Sequence, residues 1–146
     1  MKIRKSIAVA GAAAVLGTGA FLIPAAASAH SITHTLKFTA VAQQSANFSK
    51  TASGQSGTDF SKTGKLVGFD VLYFAFNPKT GKPSGGVTLD TAGGFLYGTL
   101  TPTQGPVTHG LVTGGTGKFK GVTGTITGRS LNKAGTRTAV TITYHS

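Results

Sequence analysis

Gly-Gly-Thr-Gly-Lys-Phe-Lys-Gly-Val-Thr-Gly, at residues 114–124, is the stretch that decides how this chain folds. Glycine adopts positive φ without a Cβ clash, so this density of glycine marks a backbone that turns tightly. The flanking runs 107–113 and 122–131 are rich in Val, Leu and Thr and predict strands. We therefore interpret the stretch as a wide connection between two strands, anchored by Phe119 and shaped by Gly114, Gly115, Gly117, Gly121 and Gly124.

The same stretch does not fit a phosphate-binding loop. Gly117-Lys118 is followed by Phe119, where a P-loop needs Ser or Thr, and Lys120 stands at the third glycine of a dinucleotide fingerprint. Both motifs also need a helix N-terminus, and the Thr and Gly residues that follow argue against a helix. We expect no nucleotide cofactor, and no other cofactor is indicated.

The N-terminal region has the pattern of an export signal. A basic start is followed by an apolar run and an A-x-A cleavage signal: Lys2, Arg4 and Lys5, residues 7–23, and Ala27-Ser28-Ala29. A membrane anchor is the rival interpretation, but the run is rich in Ala and Gly and ends at a cleavage signal. We expect a signal peptide over 1–29, one domain over 30–146, secretion, and no membrane segment after cleavage.

Composition narrows the function classes further. The chain has no cysteine, which excludes disulfides and thiol chemistry. When the three basic residues of the leader are removed, 14 Lys and Arg become 11 against three acids, a net charge of +8. These residues are scattered, whereas nucleic-acid footprints are clustered, so we expect no nucleic acid partner. Scattered lysines favour solubility and protect strand edges, although an anionic cell-wall polymer is an alternative partner.

Short apolar and Thr-rich segments between turn signals predict seven or eight strands and no helix. They occupy residues 34–44, 64–76, 87–89, 95–100, 107–113, 122–131 and 136–144. The polar stretch Ser45–Thr63 is interpreted as a long loop. Since closure removes exposed edges, we predict a small closed antiparallel β-barrel of about eight strands.

The most apolar segment, residues 64–76, predicts a strand buried on both faces. Asp70 is the exception within it. If Asp70 faces a cavity, burial raises its pKa and makes it a candidate proton carrier. If it faces outward or pairs with Arg129 or Arg137, its role is structural, and the sequence leaves both interpretations open.

The glycine run resembles the signature of the allene oxide cyclase and dirigent β-barrel superfamily, in which G-G-[ST]-G-x-[FY]-x-G-x-x-G follows a strand of the Leu-Val-Thr type. Gly64-Lys65-Leu66-Val67-Gly68 and the strand at 95–100 are similar to two further landmarks. The resemblance spans residues 34–144. It implies an eight-stranded barrel with a hydrophobic cavity, often assembled as a trimer.

The resemblance also implies a ligand and a reaction class. The family binds small hydrophobic or aromatic molecules and acts as an isomerase in cyclising an unsaturated fatty epoxide, or guides phenoxy-radical coupling. Its sites rely on carboxylates, including one from the first strand, but residues 36–44 contain none. The three acids here are Asp59, Asp70 and Asp90, of which Asp59 and Asp90 are interpreted as turn residues. A non-catalytic basic surface or matrix protein is therefore the alternative.

Candidate ligand-binding residues are Asp70, Tyr73 and Tyr97, since a tyrosine in a cavity supplies an apolar ring with a polar tip. Aromatic residues in strands also pack in cores, so the tyrosines fit either role. No catalytic residue is assigned. No metal is expected, because the four histidines lack the close spacing of a compact site: His30, His34, His109 and His145.

Overall fold

A computed structural model describes residues 31–103 and 105–146, so the predicted signal peptide lies outside the described residues. Eight strands form a closed antiparallel barrel in which each strand pairs with its chain neighbour and the last pairs with the first. They are β1 (Thr33–Ser49), β2 (Ala52–Phe60), β3 (Leu66–Asn77), β4 (Lys82–Thr91), β5 (Gly94–Thr101), β6 (Val107–Gly115), β7 (Thr123–Ser130) and β8 (Arg137–His145). The predicted all-β barrel is confirmed. Within the described ranges, no helix is long and apolar enough to span a bilayer.

The alternation of strand direction gives the barrel two different ends. The connections β1–β2, β3–β4, β5–β6 and β7–β8 lie at one end, which we call the open end. The chain termini of the barrel and the connections β2–β3, β4–β5 and β6–β7 lie at the other, which we call the closed end. The glycine run between β6 and β7 therefore belongs to the closed end.

Phe119 fills the closed end, as its predicted anchoring role requires. It ends a single 3₁₀ turn, Gly117–Phe119, and is 0% exposed. Its ring meets Tyr144 edge to face, with centroids 5.5 Å apart and an interplanar angle of 72°. Leu96, Val122 and Ile142 pack in the same buried cluster. Aromatic burial of this kind dominates the stability of small cores.

The glycine run connects β6 to β7 and turns its backbone tightly, as predicted. Gly117 and Gly121 have φ of +57° and +74°, a region that residues with a Cβ rarely adopt. The Thr116 hydroxyl accepts a hydrogen bond from the Phe95 N–H at 3.0 Å, and the Lys118 N–H donates to the Gly93 carbonyl at 3.0 Å. These bonds fix the turn to the β4–β5 connection, so Phe119 points into the barrel.

The predicted long loop at Ser45–Thr63 is wrong. Strand β1 continues to Ser49 and β2 occupies Ala52–Phe60. Strand β2 is polar and glycine-rich, so its own composition gives little strand signal. Backbone pairing with β1 on one side and β3 on the other holds it in place.

The prediction that β3 is buried on both faces is also wrong. Gly68, Asp70 and Leu72 face the interior, whereas alternate residues point to solvent. Phe69 and Val71 are more than half exposed on the outer surface. The apolar composition of both faces concealed this difference, because an inner and an outer face cannot be told apart when both are apolar.

Candidate functional site

The barrel interior holds a cavity of about 260 Å³ at the open end. An eight-stranded barrel is just wide enough to be filled by side chains or to hold one small ligand. The wall is formed by apolar side chains, by neutral polar ones and by one carboxylate: Phe38, Ala40, Gln55, Asp70, Leu72, Phe74, Val87, Leu89, Leu96, Leu100, Gly105, Pro106, Thr108, Ile126, Gly128, Ser130, Gly135, Thr138, Val140 and Ile142. Phe119 and Tyr144 plug the opposite end, so the cavity stops short of it.

Asp70 lies in the cavity wall and is 6% exposed. It pairs across β3 with Gly57 of β2 and Leu89 of β4. A Cβ at Gly57 would lie 2.5 Å from Asp70 Oδ1, so the missing side chain leaves the space that the carboxylate occupies. The polar, glycine-containing sequence of β2 thus makes room for a buried acid.

Asp59 lies beside Asp70 and is 0% exposed. It sits on β2 opposite Gly68 of β3 and Ala40 of β1, so the two aspartates are diagonal neighbours on adjacent strands. The interpretation of Asp59 and Asp90 as turn residues is wrong, because Asp59 lies in β2 and Asp90 in β4. Asp59 does not line the cavity, so Asp70 separates it from the ligand space.

The two carboxyl groups have no other partners in the described part of the chain. Asp59 Oδ1, Asp59 Oδ2 and Asp70 Oδ1 are buried and receive no hydrogen bond from a protein donor. Buried polar atoms without partners are strongly unfavourable, and two bare carboxylates side by side are more so. A proton held between the two groups relieves both problems.

The protonation of the pair follows from its surroundings. Burial, then the neighbouring charge of Asp70 and a hydrogen bond to it, raise the pKa of Asp59 to about 8. Burial also raises the pKa of Asp70, while the hydrogen bond from Asp59 acts in the opposite direction. The pair therefore retains a proton at neutral pH, and Asp70 is the member of the pair that faces the cavity.

The basic residues that were candidate partners of Asp70 do not reach it. Arg129 and Arg137 lie on β7 and β8 and are exposed. Of the described residues that line the cavity, none is Lys, Arg or His. No basic side chain of the described residues therefore faces the pair from the cavity.

The side chains of the other two candidate ligand-binding residues lie on the outer surface of the barrel. Tyr73 and Tyr97 are 49% and 39% exposed, and neither lines the cavity. Tyr73 alternates with Asp70 and Leu72 along β3, and this alternation turns it outward. The structure thus brings together Asp70 with Asp59, which sequence reasoning missed. One sequence signal could have indicated the position of Asp59. If residues 52–60 form a strand, Gln55, Gly57 and Asp59 share one of its faces, because side chains alternate along a strand.

Comparisons with known proteins support the barrel at the level of fold. No family model and no curated protein matches the chain. Several solved structures do match. A pyocyanin demethylase is 21% identical, with a TM-score of 0.60, and the match covers 76% of this chain and 99% of the demethylase. The pterocarpan synthase dirigent protein GePTS1 is 15% identical, with a TM-score of 0.61, and the match covers 79% of this chain and 88% of GePTS1. A third is AbnU, an exo-specific intermolecular Diels-Alderase, which is 11% identical with a TM-score of 0.60; the match covers 80% of this chain and 97% of AbnU. All are barrels of the dirigent and allene oxide cyclase-like kind, and this chain shares their fold.

Proposed function

We propose that this protein is a secreted barrel that binds one small hydrophobic or aromatic molecule in its cavity and guides an isomerase-type cyclisation there. The observation that supports this proposal best is Asp70, buried in the wall of a mostly apolar cavity with Asp59 behind it. An apolar pocket with a few convergent polar groups is the usual form of a small-molecule site. The structurally similar proteins named above include a pterocarpan synthase and a Diels-Alderase.

The acid pair supports an isomerisation by proton transfer. Asp70 accepts the proton of a hydroxyl group on the bound molecule, and the freed oxygen adds to an activated double bond, so that a C–O bond forms and the C=C π bond breaks. The carbanion that results takes the proton back from the pair, so product and substrate have the same composition. Burial raises the pKa of both carboxyl groups toward neutral pH, and this suits the pair to both directions of transfer.

Binding is tested with N-phenyl-1-naphthylamine, an apolar dye that fluoresces when removed from water. Residues 30–146 should bind the dye, and Val140→Phe, which fills the cavity between Phe38 and Gly128, should weaken binding at least tenfold. Val71→Phe is the matched control, because Val71 is exposed on the outer surface. Equal dye signals from both variants would contradict a site inside the barrel and would favour the basic matrix protein instead.

Turnover is tested with 2′-hydroxychalcone, whose ring closure needs a proton removed from a phenol and one returned to carbon. Catalysed closure in D₂O should place one deuterium in the product and should be lost in Asp70→Asn. Asp90→Asn is the control, because Asp90 is exposed on the outer face of β4. A rate that Asp70→Asn leaves unchanged would contradict a role for the pair in proton transfer.

A further inference from the structure

The cavity wall contains one acidic side chain, and no described side chain of opposite charge faces it. Asp70 forms part of its wall, and the other polar side chains there are neutral: Gln55, Thr108, Ser130 and Thr138. A buried carboxylate without a counter-charge is destabilising unless something else supplies that charge. The chain has a net charge of +11, yet none of this charge reaches the described cavity wall.

From this arrangement we propose that the cavity selects small apolar molecules that carry a basic nitrogen, and that the nitrogen enters first and rests on Asp70. The inference rests on the proposed function, because it names the ligand class for the same cavity. A protonated amine supplies the missing positive charge and donates hydrogen bonds to the Asp70 carboxylate in the cavity wall. Inside a low-dielectric barrel this pairing is stronger than the same pairing in water.

The direction of entry follows from the order of residues along β3. Asp70 comes first from the closed end, and Leu72 and Phe74 follow toward the open end. Pro106 and Ser130, from the β5–β6 connection and the end of β7, line the cavity at the open end. A molecule entering there passes apolar side chains before it meets the carboxylate, so its charged group leads and its apolar body fills the middle.

The charge preference depends on the pair alone. Among the described residues that surround the pair on neighbouring strands, none has an ionisable side chain: Ala40 on β1, Gln55 and Gly57 on β2, and Leu89 on β4. Asp90, the residue next to Leu89, points outward. The preference for a cation should therefore persist at neutral pH and disappear when acid protonates both aspartates.

Three probes of nearly equal shape separate charge from apolar burial: 2-naphthylmethylamine, 2-naphthalenemethanol and 2-naphthoic acid. Titration calorimetry at neutral pH should show the amine binding at least about tenfold more tightly than the alcohol, with the acid weakest. Asp70→Asn should reduce the preference for the amine over the alcohol to less than about twofold, and Asp90→Asn should behave like the natural chain. Acidifying the natural chain should also cancel the preference, which keeps the test independent of how Asp70→Asn folds.

The outcomes distinguish this inference from the proposed function. Equal affinity for amine and alcohol would overturn the charge preference while leaving the cavity as a binding site. If none of the three probes binds and the naphthylamine dye also fails, the proposed function itself is contradicted. Orientation is tested with two amines: a butoxy group on the far ring should be tolerated, whereas a butyl group on the nitrogen should abolish binding. The reverse order would overturn entry by the nitrogen.

Discussion

The two ends of this barrel are built from the same eight strands but are used differently. At the closed end, Phe119, Val122 and Tyr144 pack into a filled core that leaves no room for a ligand. At the open end, side chains such as Val140 and Leu72 line a cavity instead. The acid pair lies where the cavity ends. The comparison shows how a small barrel gains stability from one end and keeps space for a ligand at the other.

The largest effect on stability is expected from pH, which acts on the acid pair between the two ends. The unfolded chain loses the Asp59 proton near pH 3.8, whereas the folded chain retains it until about pH 8. Because the folded state binds the extra proton in this window, the free energy of unfolding should fall as pH rises through it, with a slope approaching about 1.4 kcal/mol per pH unit. Urea unfolding at a series of pH values measures this slope. Asp59→Asn should flatten it, and a stability that rises with pH across the window would be evidence against the pair.

Phe119→Ala tests whether the closed end carries the core. Removing a fully buried aromatic ring should lower the free energy of unfolding by about 3–5 kcal/mol, because the ring loses its burial and leaves a hole beside Tyr144. Phe95→Ala, at an exposed aromatic residue of β5, is the control and should cost less than about 1 kcal/mol. Equal losses in urea unfolding would mean that the closed end is not the stabilising one.

Larger side chains should be accepted at the open end of the barrel and rejected at the closed end. Val122→Phe overfills a packed region and should destabilise by about 1–3 kcal/mol, whereas Val140→Phe at the open end has free space to occupy. We expect Val140→Phe to change the free energy of unfolding by less than about 1 kcal/mol. Unfolding curves of the two variants, recorded under the same conditions, measure this difference in stability. A larger loss in Val140→Phe than in Val122→Phe would show that the cavity is not open space in solution.

The smallest effect is expected on the outer surface. Leu111 on β6 is exposed, so Leu111→Ser should change stability by about 0.5 kcal/mol or less. Analytical ultracentrifugation of the same variant also addresses the trimer, which stays a prediction. A monomeric Leu111→Ser beside an oligomeric natural chain would show that this outer face is an interface rather than free surface.

Features with local sequence signals could be predicted from the sequence, whereas features fixed by neighbouring strands could not. Residues 114–124 could be interpreted correctly because glycine density and one aromatic anchor are local signals of a turn. Strand β2 could not, because a polar strand is fixed by its neighbours and leaves little trace in its own composition. Asp59 was hidden for the same reason. Which face of β3 points inward, and so whether Asp70 or Tyr73 lies inside, is decided by how the sheet closes. Because both faces of β3 are apolar, its sequence does not show which one is inside.

The titration of the aspartate carboxyl groups tests most directly whether Asp59 and Asp70 share one proton in the barrel interior. The chain has three carboxylate side chains, Asp59, Asp70 and Asp90, so ¹³C labelling of the aspartate carboxyl groups gives a simple spectrum. We predict that one resonance titrates near pH 8 and that Asp59→Asn removes this transition. Three resonances that all titrate near the ordinary aspartate value of 3.8 would contradict the account.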